Sequence, residues 1–272
     1  MHLREIFTKF FADRGTHLAA MIAYFALLSF VPLLFLALAL LGLSGRVDES
    51  SYFVTELQKI FPGASISSIV EVIRTIQRNA TSIGLFGAVF LVWSSLSFFS
   101  VLESAFNIVY GRPNRGFLHG KALAVVFMLT SLVALFAGLV VGGVGAHLLN
   151  RFAPGFLGSP VVANIVSIVV SSIGIFVFLL TAYRYLTNAR LTFREVLPGA
   201  IVATIALEAT FQVLPYYLRL SKHVPAAQAF GGPVLLLIWL FLMANVIVFG
   251  AELNWWFGRR RAAKVEEGVG LA

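Results

Sequence analysis

The sequence contains no cysteine, which excludes disulfides, thiolate nucleophiles and thiolate metal ligands. Charge is scarce as well: only 12% of the 272 residues are Asp, Glu, Lys or Arg, about half the share of a soluble domain. A soluble chain of this length covers its surface with charge, so most of this surface does not face water. Aspartate is nearly missing, with Asp13 and Asp48 alone. The five histidines (His2, His17, His119, His147 and His223) are scattered without a close pair. A metal-dependent nuclease needs clustered His and carboxylate ligands to hold its ion and activate water. A metal-free nuclease needs an acid–base pair beside a basic groove. Neither pattern is present, and no metal or cofactor site is expected. Alternation with a period of two is also lacking in "LVWSSLSFFSVL" and "LLLIWLFLMANVIVFG", which speaks against a lipid-spanning barrel.

What the chain has is hydrocarbon: 59% hydrophobic residues and a mean hydropathy of +0.92. Six segments, about 18–45, 82–102, 122–149, 161–183, 196–218 and 233–251, are each long enough to cross a core of about 30 Å as a helix. The expected fold is therefore all-α: a polytopic membrane protein of six transmembrane helices, with residues 1–272 forming one integral membrane domain. The first apolar stretch is longer than a signal-peptide core and lacks a small-residue exit site, so it reads as a retained span.

The net charge of +8 is explained by position. Thirteen Lys and Arg flank the spans on the side of the two termini, against seven on the other side. This bias predicts cytoplasmic termini in a bacterial inner membrane, and the basic residues need no nucleic-acid partner. The "RRR" at 259–261 opens a basic tail, 259–272, that reads as an anchor to anionic lipid. At the other end, residues 1–17 begin with Leu3, Ile6, Phe7, Phe10 and Phe11 on one helical face and Arg4, Glu5, Lys9 and Asp13 on the other. That pattern fits an interfacial amphipathic helix or a helix packed on the protein itself. Between spans one and two, the stripe Ile66, Ile69, Val70, Ile73 and Ile76 predicts a periplasmic helical cap over 46–81, to pack on the bundle, guard an opening or dock an envelope protein.

Polar residues recur along the spans at helical spacing. Span two has Ser97, Ser100 and Asn107 with Glu103 beside them; span four has Asn164, Ser167, Ser171 and Gly174; span five has Thr204, Glu208 and Gln212; span six has Asn245 and Glu252. These faces are expected to turn from lipid toward a shared polar interior, as a cavity or substrate-binding set. Glu208 is the only charged residue from Val196 to Leu218. Ten residues beyond Pro198, it lies about 15 Å in, near the midplane, where an ionised acid costs about 2.5–3.5 kcal/mol. It is either glue between helices or the lining of a wet cavity. Glu103 and Glu252, at span ends, are expected to pair with Arg112, Arg115 and Arg259.

Arg112, Arg115, Arg184 and Arg190, in the loops on the terminus side, are positioned to attract anionic headgroups. Among structural positions, Pro32 removes the hydrogen bond to Leu28 and is expected to kink span one, where Ser29 is placed to satisfy freed backbone groups. Gly138 and Gly142 in span three allow close helix approach.

Four segments, "AAMIAYFALLSFVPLL", "LVWSSLSFFSVLESAFNIVYG", "REVLPGAIVATIALEATF" and "LLLIWLFLMANVIVFGAELN", together resemble the YihY/BrkB family of bacterial inner-membrane proteins. The likeness runs from about residue 5 to 257 and rests on positions such as Tyr24, Pro32, Trp93, Glu103, Asn107, Gly111, Pro198, Gly199, Glu208, Gly250, Glu252 and Asn254. Departures include Tyr110-Gly111, where the family often has Trp-Gly, and Phe230, where a tyrosine is common. The resemblance implies a six-helix bundle with both termini inside, an old ribonuclease label (ribonuclease BN), and a link to envelope lipid homeostasis.

Three functions follow from these readings. The polar interior fits a translocator of phospholipid or lipid headgroups, with membrane lipids as partners. The 46–81 cap fits a non-transporting scaffold that docks periplasmic or inner-membrane proteins. Ribonuclease activity lacks a site, and the chain is expected not to be an enzyme.

Overall fold

A computed structural model describes residues 2–43, 80–131, 160–221 and 225–269. Regular structure among the described residues is helical throughout: α1 His2–Ala12, α2 Gly15–Leu43, α3 Ala80–Val109, α4 Phe117–Ser131, α5 Pro160–Tyr185, α6 Phe193–Ser221 and α7 Pro225–Val269. The expected segments 82–102, 161–183, 196–218 and 233–251 fall within α3, α5, α6 and α7; 18–45 is described to residue 43 in α2, and 122–149 only to residue 131 in α4. Four of them carry segments long and apolar enough to cross a membrane: Leu85–Val109, Ile168–Tyr185, Phe193–Val213 and Val234–Arg261. Gly15–Phe30 and Phe117–Ser131 are shorter apolar helical stretches. Residues 46–79 of the expected cap and the Gly138/Gly142 pair lie outside the described residues; residues 80–81 open α3. Large apolar side chains such as Leu85, Phe86, Ile173 and Ile205 are exposed along these helices, as a surface facing lipid requires.

The chain divides into two compact units. One comprises Met1–Gly15, Leu102–Ala209 and Val246–Ala272; the other comprises Thr16–Val101 and Thr210–Asn245. In the second unit Leu18, Ala19, Ile22, Ala23, Phe99, Trp239 and Ala244 are buried. Several of its polar side chains bond back to their own helices. Ser29 donates to the Phe25 carbonyl at 2.9 Å, Ser97 to Trp93 at 2.9 Å, Ser100 to Leu96 at 2.7 Å and Asn245 to Phe241 at 2.7 Å. This back-bonding satisfies a hydroxyl or amide in hydrocarbon without a partner from another helix. Ser29 thus serves Phe25 rather than the Leu28 carbonyl that Pro32 leaves free.

The first unit is built on a close crossing of α6 and α7. A side chain at Gly199 would strike the Gly250 carbonyl oxygen and Asn254, and one at Gly250 would strike the Tyr183 hydroxyl. Glycine at both positions lets the backbones meet, the usual device where no hydrophobic force drives helices together. One hydrogen bond fixes the crossing, from the Gly199 N–H to Asn254 Oδ1 at 2.6 Å, and a second ties α5 to α7, from Tyr183 Oη to the Ile247 carbonyl at 2.8 Å. Phe106, Leu186, Val196, Ala200, Val248 and Ala251 pack around it, all nearly inaccessible.

Helix α1 docks on α7. Ile6 and Phe10 are buried, and the rings of Phe7 and Phe10 meet Phe249 at 5.2 and 6.1 Å between centroids. Phe7 and Phe11 remain 50% and 64% exposed, so the predicted apolar stripe of α1 is divided between the protein and its surroundings.

Candidate functional site

The loops of the first unit are held by helix ends that the local sequence defines. Helix α3 stops at "VYGR". Gly111 takes a positive φ of 60°, the Arg112 N–H bonds to the Asn107 carbonyl at 2.8 Å, and the Gly111 N–H bonds to Ile108 at 3.0 Å. This is the paired Schellman closure, with glycine where a Cβ would be strained. It turns the chain so that Arg112 follows at once. Helix α6 begins with one arm of a capping box in "TFRE": the Glu195 carboxylate accepts from the Thr192 N–H at 2.7 Å and from its hydroxyl at 2.8 Å, while the Glu195 N–H bonds to the Thr192 carbonyl at 3.1 Å.

Arg115 closes the end of α5. Its guanidinium donates to the carbonyls of Tyr185 (3.1 Å), Leu186 (2.6 Å) and Thr187 (2.9 Å), and to Glu103 Oε1 at 3.1 Å. A planar fork with five donors suits the unsatisfied carbonyls of a helix C-terminus, whose dipole also favours a cation. Asn107, fully buried, then ties the two loops together: its Oδ1 accepts from the Asn188 N–H at 2.6 Å and its Nδ2 donates to Asn114 Oδ1 at 3.1 Å.

Between these loops and α7 lies a cavity of about 780 Å³, lined by Tyr110, Arg112, Arg115, Asn188, Ala189, Arg190, Leu191, Glu195, Trp255, Gly258 and Arg259. Its charge is unbalanced. Arg115 and Glu195 are engaged in helix caps, whereas the exposed Arg112, Arg190 and Arg259 have no ion-pair partner among the described residues. Arg259 does lie over the Trp255 ring, at 5.1 Å. Burial, then the negative charge of Glu195 and Glu252, pushes the Tyr110 phenol above its ordinary range, so it stays a neutral hydroxyl on the cavity wall. Three of the four arginines expected to attract headgroups are therefore brought together. The fourth, Arg184, stacks over Phe193 at 3.6 Å instead.

Glu252 has a different partner from the one its position in sequence indicated. Its Oε2 accepts from Lys9 Nζ at 2.8 Å, not from Arg259. A smaller cavity of about 450 Å³ adjoins this pair, lined by Glu5, Lys9, Trp255, Trp256, Arg259 and Arg260. Glu103 pairs with Arg115, as expected.

Glu208 accepts a hydrogen bond from Ser171 Oγ at 2.8 Å, linking α6 to α5. Thr204, one turn away, donates to the Ala200 carbonyl of its own helix at 2.7 Å. By residue number, Glu103, Asn107, Asn164, Ser171, Thr204, Glu208 and Glu252 belong to the first unit, and Ser97, Ser100, Gln212 and Asn245 to the second. The side chain of Asn164 is outside the described set. Among the described residues, no three His, Asp or Glu side chains group as metal ligands.

The sequence profile described as virulence factor BrkB matches residues 6–269. A UPF0761 membrane protein of Chromohalobacter salexigens is 30% identical over 96% of this chain and 64% of its own length. The chain thus spans just under two thirds of that relative. A Bacillus subtilis protein described as ribonuclease-like, YfkH, is 26% identical over 93% of both chains. The Pseudoalteromonas translucida membrane protein PSHAa0171 is 27% identical over 89% of this chain and 81% of its own. No solved structure matches.

Proposed function

The chain belongs to the YihY/BrkB family of membrane proteins, and on that premise we propose that it is a six-span lipid translocator of the bacterial inner membrane. Both termini lie in the cytoplasm, and the role is envelope lipid homeostasis without enzymatic chemistry. The observation that carries this reading is the cavity between the 110–116 and 186–192 loops and α7. Arg112, Arg190 and Arg259 bring three positive charges to it, none in an ion pair among the described residues and outnumbering the one lining carboxylate, Glu195, at the ends of helices long enough to cross a bilayer. A phosphate or other anionic headgroup supplies the missing charge through charge-assisted hydrogen bonds.

The test is transbilayer movement of fluorescent phosphatidylglycerol in proteoliposomes, read by chemical quenching of the outer leaflet. Gly258 borders the cavity, and a Cβ there would meet nothing within 4 Å; Gly258→Leu is therefore an occluding variant that leaves the fold intact. It is expected to slow movement by occlusion, and the Arg112→Gln/Arg190→Gln pair by about a hundredfold, the effect of losing two charge-assisted bonds of about 1.5 kcal/mol each. Movement by the wild type no faster than in protein-free vesicles ends the proposal.

The Ser171–Glu208 hydrogen bond favours a second reading, in which the helices form a static scaffold for envelope proteins. Glutamine keeps an acceptor at that position, so in a scaffold Glu208→Gln leaves the cellular phenotype unchanged, whereas substitutions on the protein-docking surface abolish it.

A further inference from the structure

Among the described residues, nothing packs against Gly174. In the middle of a helix glycine costs about 1 kcal/mol relative to alanine, and within membranes it is usually retained to let another backbone approach. Gly199 and Gly250 meet that description. At Gly174 a Cβ would find no atom within 4 Å. What lies there is a groove of about 570 Å³ between α4 and α5, walled by Val126, Phe127, Ile173, Val177 and Phe178. Its one described polar contact is internal: the Thr181 hydroxyl donates to the carbonyls of Val177 and Phe178 at 2.8 and 2.9 Å, which leaves its methyl for the groove.

We propose that this groove seats one acyl chain of an anionic glycerophospholipid. From Ile173 to Tyr185 it runs about 18 Å along α5, close to the depth of a single leaflet, about 15 Å. Its walls are mainly apolar, with Thr130, Ser131, Thr181 and Tyr185 the polar side chains among them, so the occupant is a hydrocarbon chain and not a headgroup. The charge stands at one end. Arg184 is three residues beyond Thr181 on the same helical stripe; its guanidinium stacks on Phe193 and has no carboxylate partner among the described residues. Stacking occupies the face of a guanidinium and leaves its edge for a phosphate. The site is separate from the arginine cavity and requires only that α4 and α5 face lipid; it does not rest on translocation.

The test uses the full chain in bilayers of phosphatidylcholine doped with phosphatidylglycerol that carries a photoreactive diazirine in its acyl chain. Crosslinked peptides are mapped after irradiation. Labelling is expected to concentrate on residues 123–131 and 173–185, above the other exposed apolar helix faces. Gly174→Leu places its side chain in open space and is expected to cut that labelling about tenfold, the effect of displacing roughly two methylenes from the groove. Its melting midpoint should be at or above that of the wild type. A phosphatidylcholine probe with the same chain is expected to label the groove several-fold less. Uniform labelling of all exposed helix faces, indifference to Gly174→Leu, or equal labelling by the two lipids overturns the proposal. A translocation assay run on the same preparations separates the two conclusions, since loss of groove labelling with movement retained refutes this site alone.

Discussion

Lys9 in α1 and Glu252 in α7 form a 2.8 Å ion pair across 243 positions of sequence, with the carboxylate side chain wholly inaccessible. The same ammonium donates to Asp13 and to the Val109 carbonyl at 2.8 Å, and lies 4.2 Å from the centroid of the Trp255 ring. Three N–H donors thus meet three acceptors, and one side chain joins α1, the end of α3 and α7. The other oxygen of Glu252, Oε1, is buried without a hydrogen bond among the described residues.

Removing one member of such a pair strands a charge, which costs about 3–5 kcal/mol in a buried setting. Lys9→Met is expected at the lower end of that range, because 17% of the lysine side chain is still accessible. Glu252→Gln on top of Lys9→Met is expected to restore much of the loss, since the wholly buried carboxylate is gone and only the partly accessible Asp13 is left without the ammonium. Thermal melts of the four proteins in one detergent measure the coupling. Additive losses would show that Lys9 and Glu252 act independently.

Two glycines separate close packing from open space. Gly199→Ala forces a methyl group into the Gly250 carbonyl and Asn254, and overpacking of this kind costs about 1–3 kcal/mol. Gly174→Ala meets nothing and gains helix propensity of about 0.5–1 kcal/mol. The first variant is expected to melt lower than wild type and the second at or above it. A Gly174→Ala protein as impaired as Gly199→Ala would mean that α5 is packed at that point after all.

What could be read from the sequence follows the range of the forces involved. Helix type and placement were legible because apolar runs bounded by charge reflect the solvent, so the predicted segment 161–183 falls within the helix Pro160–Tyr185. Glu103 with Arg115 was legible because twelve residues and one tight turn separate them. Lys9 with Glu252 was not: proximity along the chain pointed to Arg259, and only the docking of α1 brings the ammonium to the carboxylate. The "TFRE" box and the "YGR" stop are local signals that fix the loops bearing Arg112 and Arg190. They carry conformation rather than charge, and a search for polar stripes passes over them. Serine and threonine stripes also have two meanings that spacing alone does not separate. In Ser97, Ser100 and Thr204 the hydroxyl returns to its own helix.

Arg115 reads as a headgroup-binding residue in the sequence and acts as a helix cap in the structure. Lysine in its place keeps the charge but cannot reach three carbonyls and Glu103 from one plane. Arg115→Lys is therefore expected to destabilise the protein by about 1–3 kcal/mol, through carbonyls left unsatisfied. Amide exchange should rise in the last turn of α5 and in residues 186–189. If Arg115→Lys melts like the wild type while lipid movement falls, the residue serves the anion and not the cap.

Pro198 lacks an N–H, so the carbonyl of Arg194 has no partner in its own helix. Arg261 supplies one, its guanidinium donating to that oxygen at 2.9 Å across from α7. This gives part of the "RRR" run a structural task alongside any attraction to anionic lipid. Arg261→Ala is expected to cost about 0.5–1.5 kcal/mol in the wild-type background. Pro198→Ala returns an N–H to the helix, and in that background Arg261→Ala should cost close to nothing. The pair is therefore non-additive in a specified direction, which a double-mutant cycle of melting midpoints resolves. An equal cost of Arg261→Ala in both backgrounds would show that Arg261 acts through its charge alone.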